Sequence, residues 1–182
     1  MDYYKEKQFL AEVNEGDEVV GKIEKWDAHK NGILHRGYTA IITFEDQLVL
    51  QHRKHPVFDN VYDFSFSSHQ IYVKDELQDG VVSVLEGLQR EWGIHAEHVV
   101  DDITLLKKVY YKAFDDVAGY YEHEVDHIYT VELNKLPEPN YDFAYGFYLI
   151  HKNHIDKLQD ARIFSLLAPW VHTLLKGDSL LK

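Results

Sequence analysis

Hydrophobic and polar positions along the chain repeat at two periods, and the changes from one to the other mark out the elements. Residues 37–44 (GYTAIITF) and 47–53 (QLVLQHR) are runs rich in β-branched and large apolar side chains. Only Glu45 and Asp46 separate them, which predicts a hairpin. Residues 63–70 (DFSFSSHQ) alternate aromatic with small polar side chains and predict one further strand end. Between residues 81 and 92 the period lengthens: Val81, Val84, Leu85, Leu88 and Trp92 recur every three to four positions, and Gly93 follows. That spacing predicts an amphipathic helix with a glycine stop. Residues 103–114 and 122–133 (EHEVDHIYTVEL) predict two more strands joined by a turn at 115–119, and residues 141–150 predict another. Helical spacing returns at 154–158 and 164–175, with Pro169 interrupting the second piece. Strands on either side of one central helix predict a β-rich α+β fold.

No internal repeat or low-complexity linker divides the chain, and 182 residues suit a single domain with a real core. With 45% hydrophobic residues, 4 Pro and 10 Gly, a packed globular fold is expected. The 31 acidic against 19 basic residues set a formal charge of -12, a field that repels nucleic acid and anionic membrane alike. A small anionic ligand would therefore need a local patch of cations. The chain contains no Cys, which excludes disulfides, thiolate metal sites and cysteine nucleophiles together. No uncharged apolar stretch approaches the roughly 18 residues of a membrane span, and the opening MDYYKEKQFL lacks the apolar region of a secretory signal. The expected location is the cytoplasm.

Of the 12 His, those at 52, 55, 95, 98, 151 and 154 read as ordinary surface residues. His29 and His35 stand apart, flanking the segment AHKNGILHRG, read as a short loop before a strong strand. In YYEHEVDHIY, Glu122 and Glu124 lie two apart in a predicted strand, so both point to one face and His123 to the other. Two adjacent carboxylates repel unless a cation or a proton lies between them. On these residues alone a metal site and a solvated strand face carrying paired acids remain equally open.

The stretch VYYKAFDDVAGYYEHEVDHIY resembles the corresponding part of type 1 isopentenyl-diphosphate isomerases, a branch of the Nudix fold, where an aromatic-rich strand leads into a Glu-His-Glu motif. Other segments agree in the same order. KWDAHKNGILHRG resembles the family's N-terminal Lys and two-His segment, FSSH its Cys-Ser-His or Cys-Gly-His motif, and LLAPW its C-terminal Pro-Trp, so the matches run from residue 25 to residue 170. The resemblance implies a Nudix-type α/β/α sandwich with a mixed sheet over residues 1–182, in which residues 1–35 are an N-terminal extension contributing to the site. It further implies one metal site from His29, His35, His69, Glu122 and Glu124. Five side chains exceed what a tetrahedral structural zinc needs, which suits Zn, Mn or Mg in expanded coordination. A second ion, Mg, would bridge the substrate diphosphate and Glu91, the last Glu of the Nudix helix. Lys25 and Arg53, with Lys54 beside them, match basic positions that meet the diphosphate. Trp170 matches the Trp facing the branched carbon, where an indole face stabilises positive charge. Tyr111 and Glu124 complete the proton-handling set with the residue at position 67.

Four departures qualify that picture. The carboxylates of a hydrolytic Nudix helix hold the metals that activate water, but the corresponding positions here are Tyr72, Gln78, Glu86-Gly87 and Arg90-Glu91, so only the final Glu survives. Gly87 lies where some family members carry another phosphate-binding Arg. Ser67 stands where the family has a proton-handling Cys, and an unactivated hydroxyl is far less acidic than a thiol, which titrates near pH 8.5. Phe64 and Phe66 are bulky where the family is often small or polar, which predicts an altered pocket. The function implied is a metal-dependent interconversion of isopentenyl and dimethylallyl diphosphate in a divergent, slowed form. A Nudix hydrolase of a nucleoside or other organic diphosphate and a non-catalytic binder of metal and diphosphate are the alternatives.

Overall fold

The computed structural model describes residues 3–176; residues 1–2 and 177–182 of the expected 1–182 unit lie outside the described residues. Strands β1 (Phe9–Val13) and β2 (Val19–Glu24) form a hairpin, and a short helix α1 (Lys25–Asn31) follows. Strands β3 (His35–Phe44) and β4 (Gln47–Arg53) are the predicted hairpin, turning through Glu45 at φ 50°. Next come β5 (Tyr62–Phe64), β6 (Phe66–His69) and the small pair β7 (Tyr72–Val73) and β8 (Glu76–Leu77). Helix α2 (Gly80–Trp92) leads to the long strands β9 (Thr104–Asp115) and β10 (Tyr120–Leu133), then β11 (Ala144–His151). Two 3-10 helices, Lys152–Asp160 and Arg162–Leu166, lead into α3 (Pro169–Leu175). Pro169 opens α3 in its first turn, where a missing N–H costs nothing, so the proline divides the tail as its position implied.

One mixed sheet holds nine strands, and β3 is its spine. Along one edge β3 pairs in parallel with β10 from His35↔Glu124 to Phe44↔Leu133, with β9 antiparallel beyond. Its other edge is shared by β6, β4 and a single β1 pair, Glu12↔His35. Alternate residues of β3 and β4 then enter opposite layers. Ile41, Leu48 and Leu50 pack with Phe64, Ile128, Trp170 and Leu174 toward α3, while Ile42 and Val49 pack with Val84, Leu88 and Trp92 of α2. Each of these buried apolar side chains contributes on the order of 2 kcal/mol. Helix α2 has its ends where local chemistry puts them: Asp79 accepts from the amides of Val81 and Val82, and Gly93 closes the helix at φ 59°.

Residues 63–70, expected as one strand end, are two strands. Ser65 breaks them at φ 43°; its hydroxyl donates to the Val49 carbonyl and accepts from the Ile42 amide, so the segment crosses from β4 to β3. The first 35 residues also carry more structure than the pattern indicated. The hairpin β1–β2 joins the sheet, and the stretch between His29 and His35 begins in α1, capped by Glu24 and closed by Gly32 at φ 63°. Seven residues are too few for a helical period to register.

Candidate metal centre and active site

Each imidazole of the cluster is oriented by its own backbone. His29, in the last turn of α1, donates from Nδ1 to the Lys25 carbonyl at 2.6 Å, and His35 donates from Nδ1 to Ile33 O at 2.8 Å. A carbonyl can only accept, so Nδ1 carries a proton and Nε2 is the atom turned toward the other donors. The β3–β10 register then sets His35 opposite Glu124, and the β3–β6 register sets His69 opposite Gly37. Donor atoms of His29, His35, His69 and Glu122 all lie within 4.8 Å of one another. Glu122 Oε2 is 3.2 Å from His29 Nε2, while Glu124 Oε1 is 2.9 Å from His69 Nε2 and 3.4 Å from His35 Nε2. The three Nε2 atoms and Glu122 Oε2 are buried with no hydrogen-bond partner among the described residues. Converging buried lone pairs are costly unless a cation or protons lie between them, so this donor set fits a divalent ion. Gly37 makes room for the Glu124 carboxylate: a Cβ there would fall 2.4 Å from Glu124 Oε1.

The electrostatics agree with that fit. Burial, working against Glu124, pushes the His69 imidazole down to about 4, leaving it neutral and able to ligate. Burial also opposes charge on His29, Glu122 and Glu124. Ion pairing outweighs it: Glu122 raises His29, and His29 holds Glu122 below the usual carboxylate range. The facing imidazoles of His35 and His69 hold Glu124 well below that range. Tyr111 donates its hydroxyl to Glu124 Oε2, and burial together with Glu124 pushes that phenol well up, so it stays protonated.

On the same cavity as Glu124, Ser67 Oγ shares a hydrogen bond with Thr39 Oγ1 at 2.8 Å, and Thr39 donates to Asp126 Oδ2 at 2.8 Å. Trp170 Nε1 donates to Asp63 Oδ1 at 2.7 Å, and the indole lies 5.7 Å from the Tyr111 ring and 5.4 Å from the Arg53 guanidinium carbon. Lys25 is 2% exposed; its Nζ reaches Gln8 Oε1 at 3.3 Å and sits over the rings of Tyr3, Tyr4 and Trp26. Burial lowers its pKa. Lys25, Arg53, Ser67, His69, Glu91, Tyr111, Glu122, Glu124 and Trp170 line one narrow cavity. His29 and His35 are fully buried behind the lining, beside Glu122 and Glu124.

Other residues fall elsewhere than the pattern suggested. Lys54 is outside the lining: its Nζ donates to Tyr141 O at 2.9 Å and stands over the Tyr145 ring. Phe64 and Phe66 do not line the cavity either. They are core residues on opposite faces of the sheet, because Ser65 between them switches the strand. His55, read as a surface residue, lines the cavity with its ring edge-on to Tyr4 at 4.7 Å. Tyr3 and Tyr4 line it too, with nothing in their spacing to announce it. Asp126 was legible: it is two beyond Glu124 and shares its face, and burial with the Glu124 charge holds its carboxyl well above the usual range. Thr39 and Asp63 carried no signal. On α2, Glu86 is exposed while Glu91 is buried at the cavity, and a Cβ on Gly87 would strike Phe66 at 2.4 Å and the Tyr38 hydroxyl at 2.5 Å.

No family model matches the chain. Among solved structures it resembles a protein of Deinococcus radiodurans, with TM-score 0.61 and 17% identity over 92% of this chain and 97% of that one. It also resembles a MutT Nudix hydrolase of Burkholderia pseudomallei, with TM-score 0.54 and 17% identity over 80% and 98%. The fold is therefore that of the Nudix proteins, an α+β sandwich on a mixed sheet. Among curated proteins the chain is 30% identical over 171 residues to isopentenyl-diphosphate Delta-isomerase 1 of Bos taurus, covering 83% of this chain and 74% of that protein. It is 26% identical over 185 residues to isopentenyl-diphosphate delta-isomerase 2 of Homo sapiens, covering 92% and 81%. The chain belongs to the isopentenyl-diphosphate isomerase family, a family of enzymes.

Proposed function

We propose that the protein interconverts isopentenyl and dimethylallyl diphosphate in a metal-dependent reaction, in a divergent and slowed form. The observation that carries this reading is the placement of the Tyr111–Glu124 pair and Ser67 on one narrow cavity whose wall is the indole of Trp170. The reaction adds a proton to the terminal methylene carbon, leaves positive charge on the tertiary carbon, and removes a proton from the neighbouring methylene. Two proton-handling groups and a surface tolerant of a carbocation are what it needs. Asp63 pins the indole through Nε1, so the ring face is fixed against Tyr111. Tyr111 holds Glu124 through one oxygen and leaves the other for the imidazoles. A divalent ion held by His29, His35, His69, Glu122 and Glu124 would supply the charge that keeps two adjacent buried carboxylates together. Ser67 is the weak member: its hydroxyl is tied to Thr39, and its intrinsic acidity lies far from neutral pH.

Lys25 and Arg53 supply the cations a diphosphate needs within a protein of net charge -12. Hydrolysis lacks its carboxylates, since of Glu86 and Glu91 only Glu91 faces the cavity. The test is incubation of metal-loaded protein with isopentenyl diphosphate in D2O, following isomer and deuterium by NMR, beside a nucleoside diphosphate panel scored for phosphate. Isomer with deuterium incorporated supports the reading, and phosphate release alone replaces it with a hydrolase. Silence from both the native protein and a folded, metal-loaded Ser67→Cys variant would overturn it in favour of a non-catalytic binder.

A further inference from the structure

We propose that Arg90 is a diphosphate-binding residue of this site, acting with Lys25 at the end of the cavity covered by Tyr3. This rests on the reading of the cavity as a diphosphate site. Arg90 projects from the last turn of α2, where its Nη2 donates to Glu91 Oε1 at 2.9 Å and to Ser68 Oγ at 3.2 Å. Both of those partners line the cavity, and Arg90 stands directly behind them, outside the lining itself. The guanidinium has five N–H donors, and its Nε is buried with no partner among the described residues.

Two cations meet under one ring. The Arg90 guanidinium carbon is 4.2 Å from the Tyr3 centroid, and Lys25 Nζ is 5.0 Å from the same centroid. Lys25 faces the amide oxygen of Gln8 where a buried ammonium would ordinarily meet a carboxylate. Each cation is felt by the phenol between them: against burial, Lys25 and Arg90 draw the Tyr3 hydroxyl below its ordinary pKa. The two cations thus converge on the Tyr3 ring, with the Glu91 carboxylate paired, among the described residues, to Arg90 alone. Like charges gathered in a buried place repel one another, and an anion entering under Tyr3 would relieve that repulsion. A guanidinium fork with free N–H groups suits the paired oxygens of a phosphate. Arg90 carried no such expectation in the sequence, and Gly87, one turn earlier, has no room for a side chain to do the same work.

The probe is inorganic pyrophosphate with Mg2+, titrated by calorimetry into the full-length metal-loaded protein and its variants. Arg90→Gln should weaken binding about tenfold, with Arg90→Lys intermediate because it keeps the charge and loses the fork. Circular dichroism and the tightly bound metal content should be unchanged. Should Arg90→Gln fail to fold, Arg90→Lys alone carries the test, with weakening of about threefold or more expected. Binding by the folded variants within about twofold of the native protein, while Arg53→Gln weakens it, would overturn the role of Arg90 and leave the site reading intact. A native protein that neither binds pyrophosphate nor forms isomer would overturn both, and one that forms isomer without binding pyrophosphate would overturn the role of Arg90 alone. Isomer formation by the native protein, measured separately, tells which of the two has failed.

Discussion

Replacing Gly37 by Ala tests whether the placement of one carboxylate holds the site together. Gly37 lies within β3, opposite Asp126 on one side and His69 on the other. A Cβ there would stand 2.4 Å from Glu124 Oε1 and 2.5 Å from both Cδ and Oε2. Ordinary contact begins near 3.4 Å, so the carboxylate must withdraw by about 1.0 Å (3.4 − 2.4). That movement breaks the 2.9 Å approach to His69 Nε2 and lengthens the 3.4 Å approach to His35 Nε2. The backbone itself gains, since Ala loses less conformational freedom than Gly in a strand by roughly 0.5–1 kcal/mol. The displaced atoms end a flexible side chain, so net stability should stay within about 1 kcal/mol of native. Function should not be spared: a misplaced ligand costs about 10–100-fold in metal affinity, and a 1 Å error at a reacting group about 100-fold in rate. Zn2+ and Mn2+ affinities by chelator competition, isomer formation by NMR and thermal melts would separate the effects. A G37A protein with native metal affinity and native turnover would refute the reasoning.

Other outcomes follow from the same geometry. Glu122→Gln removes a charge from the donor set while keeping its shape, so metal affinity should fall at least about tenfold with the fold retained; unchanged affinity would mark the Glu pair as structural. Ser67→Cys should raise isomer formation by about tenfold or more, because a thiol titrates within reach of neutral pH and the volume change is small enough to leave stability within about 1 kcal/mol. Asp17 accepts from Lys108 Nζ at 2.6 Å, Arg36 Nε at 2.7 Å and His127 Nε2 at 2.8 Å, and these bonds outweigh burial to hold its carboxyl below the usual range. A folded pKa below the unfolded one contributes stability above about pH 4 that is lost as pH falls through the folded value. Asp17→Asn, tolerated at φ 64°, should therefore cost about 1 kcal/mol at pH 7 after allowance for the half-exposed Lys108. The gap from native should narrow as pH falls below about 4; a gap that persists undiminished in acid would show that the charge is not its cause.

What could be read from the chain alone is what short-range physics decides. The period of residues 81–92 and the glycine after them define α2 because helix spacing and capping act within a few residues. The hairpin 37–53 and the shared face of Glu122, Glu124 and Asp126 are equally local, since side chains alternate along any strand. The partners of those side chains are not local. Only the parallel register of β3 with β10 sets His35 beside Glu124, and only the switch at Ser65 carries His69 across to Gly37. The same limit explains Lys54 and His55, neighbours in sequence whose fates differ because the chain turns between Arg53 and Tyr62 and only one of them faces the cavity. A net charge of -12 is a sum over residues and was fixed from the start. The positive end of the cavity arises only where α1, β4 and α2 bring Lys25, Arg53 and Arg90 toward one another, because electrostatic work depends on distance and burial, and both are set by the fold.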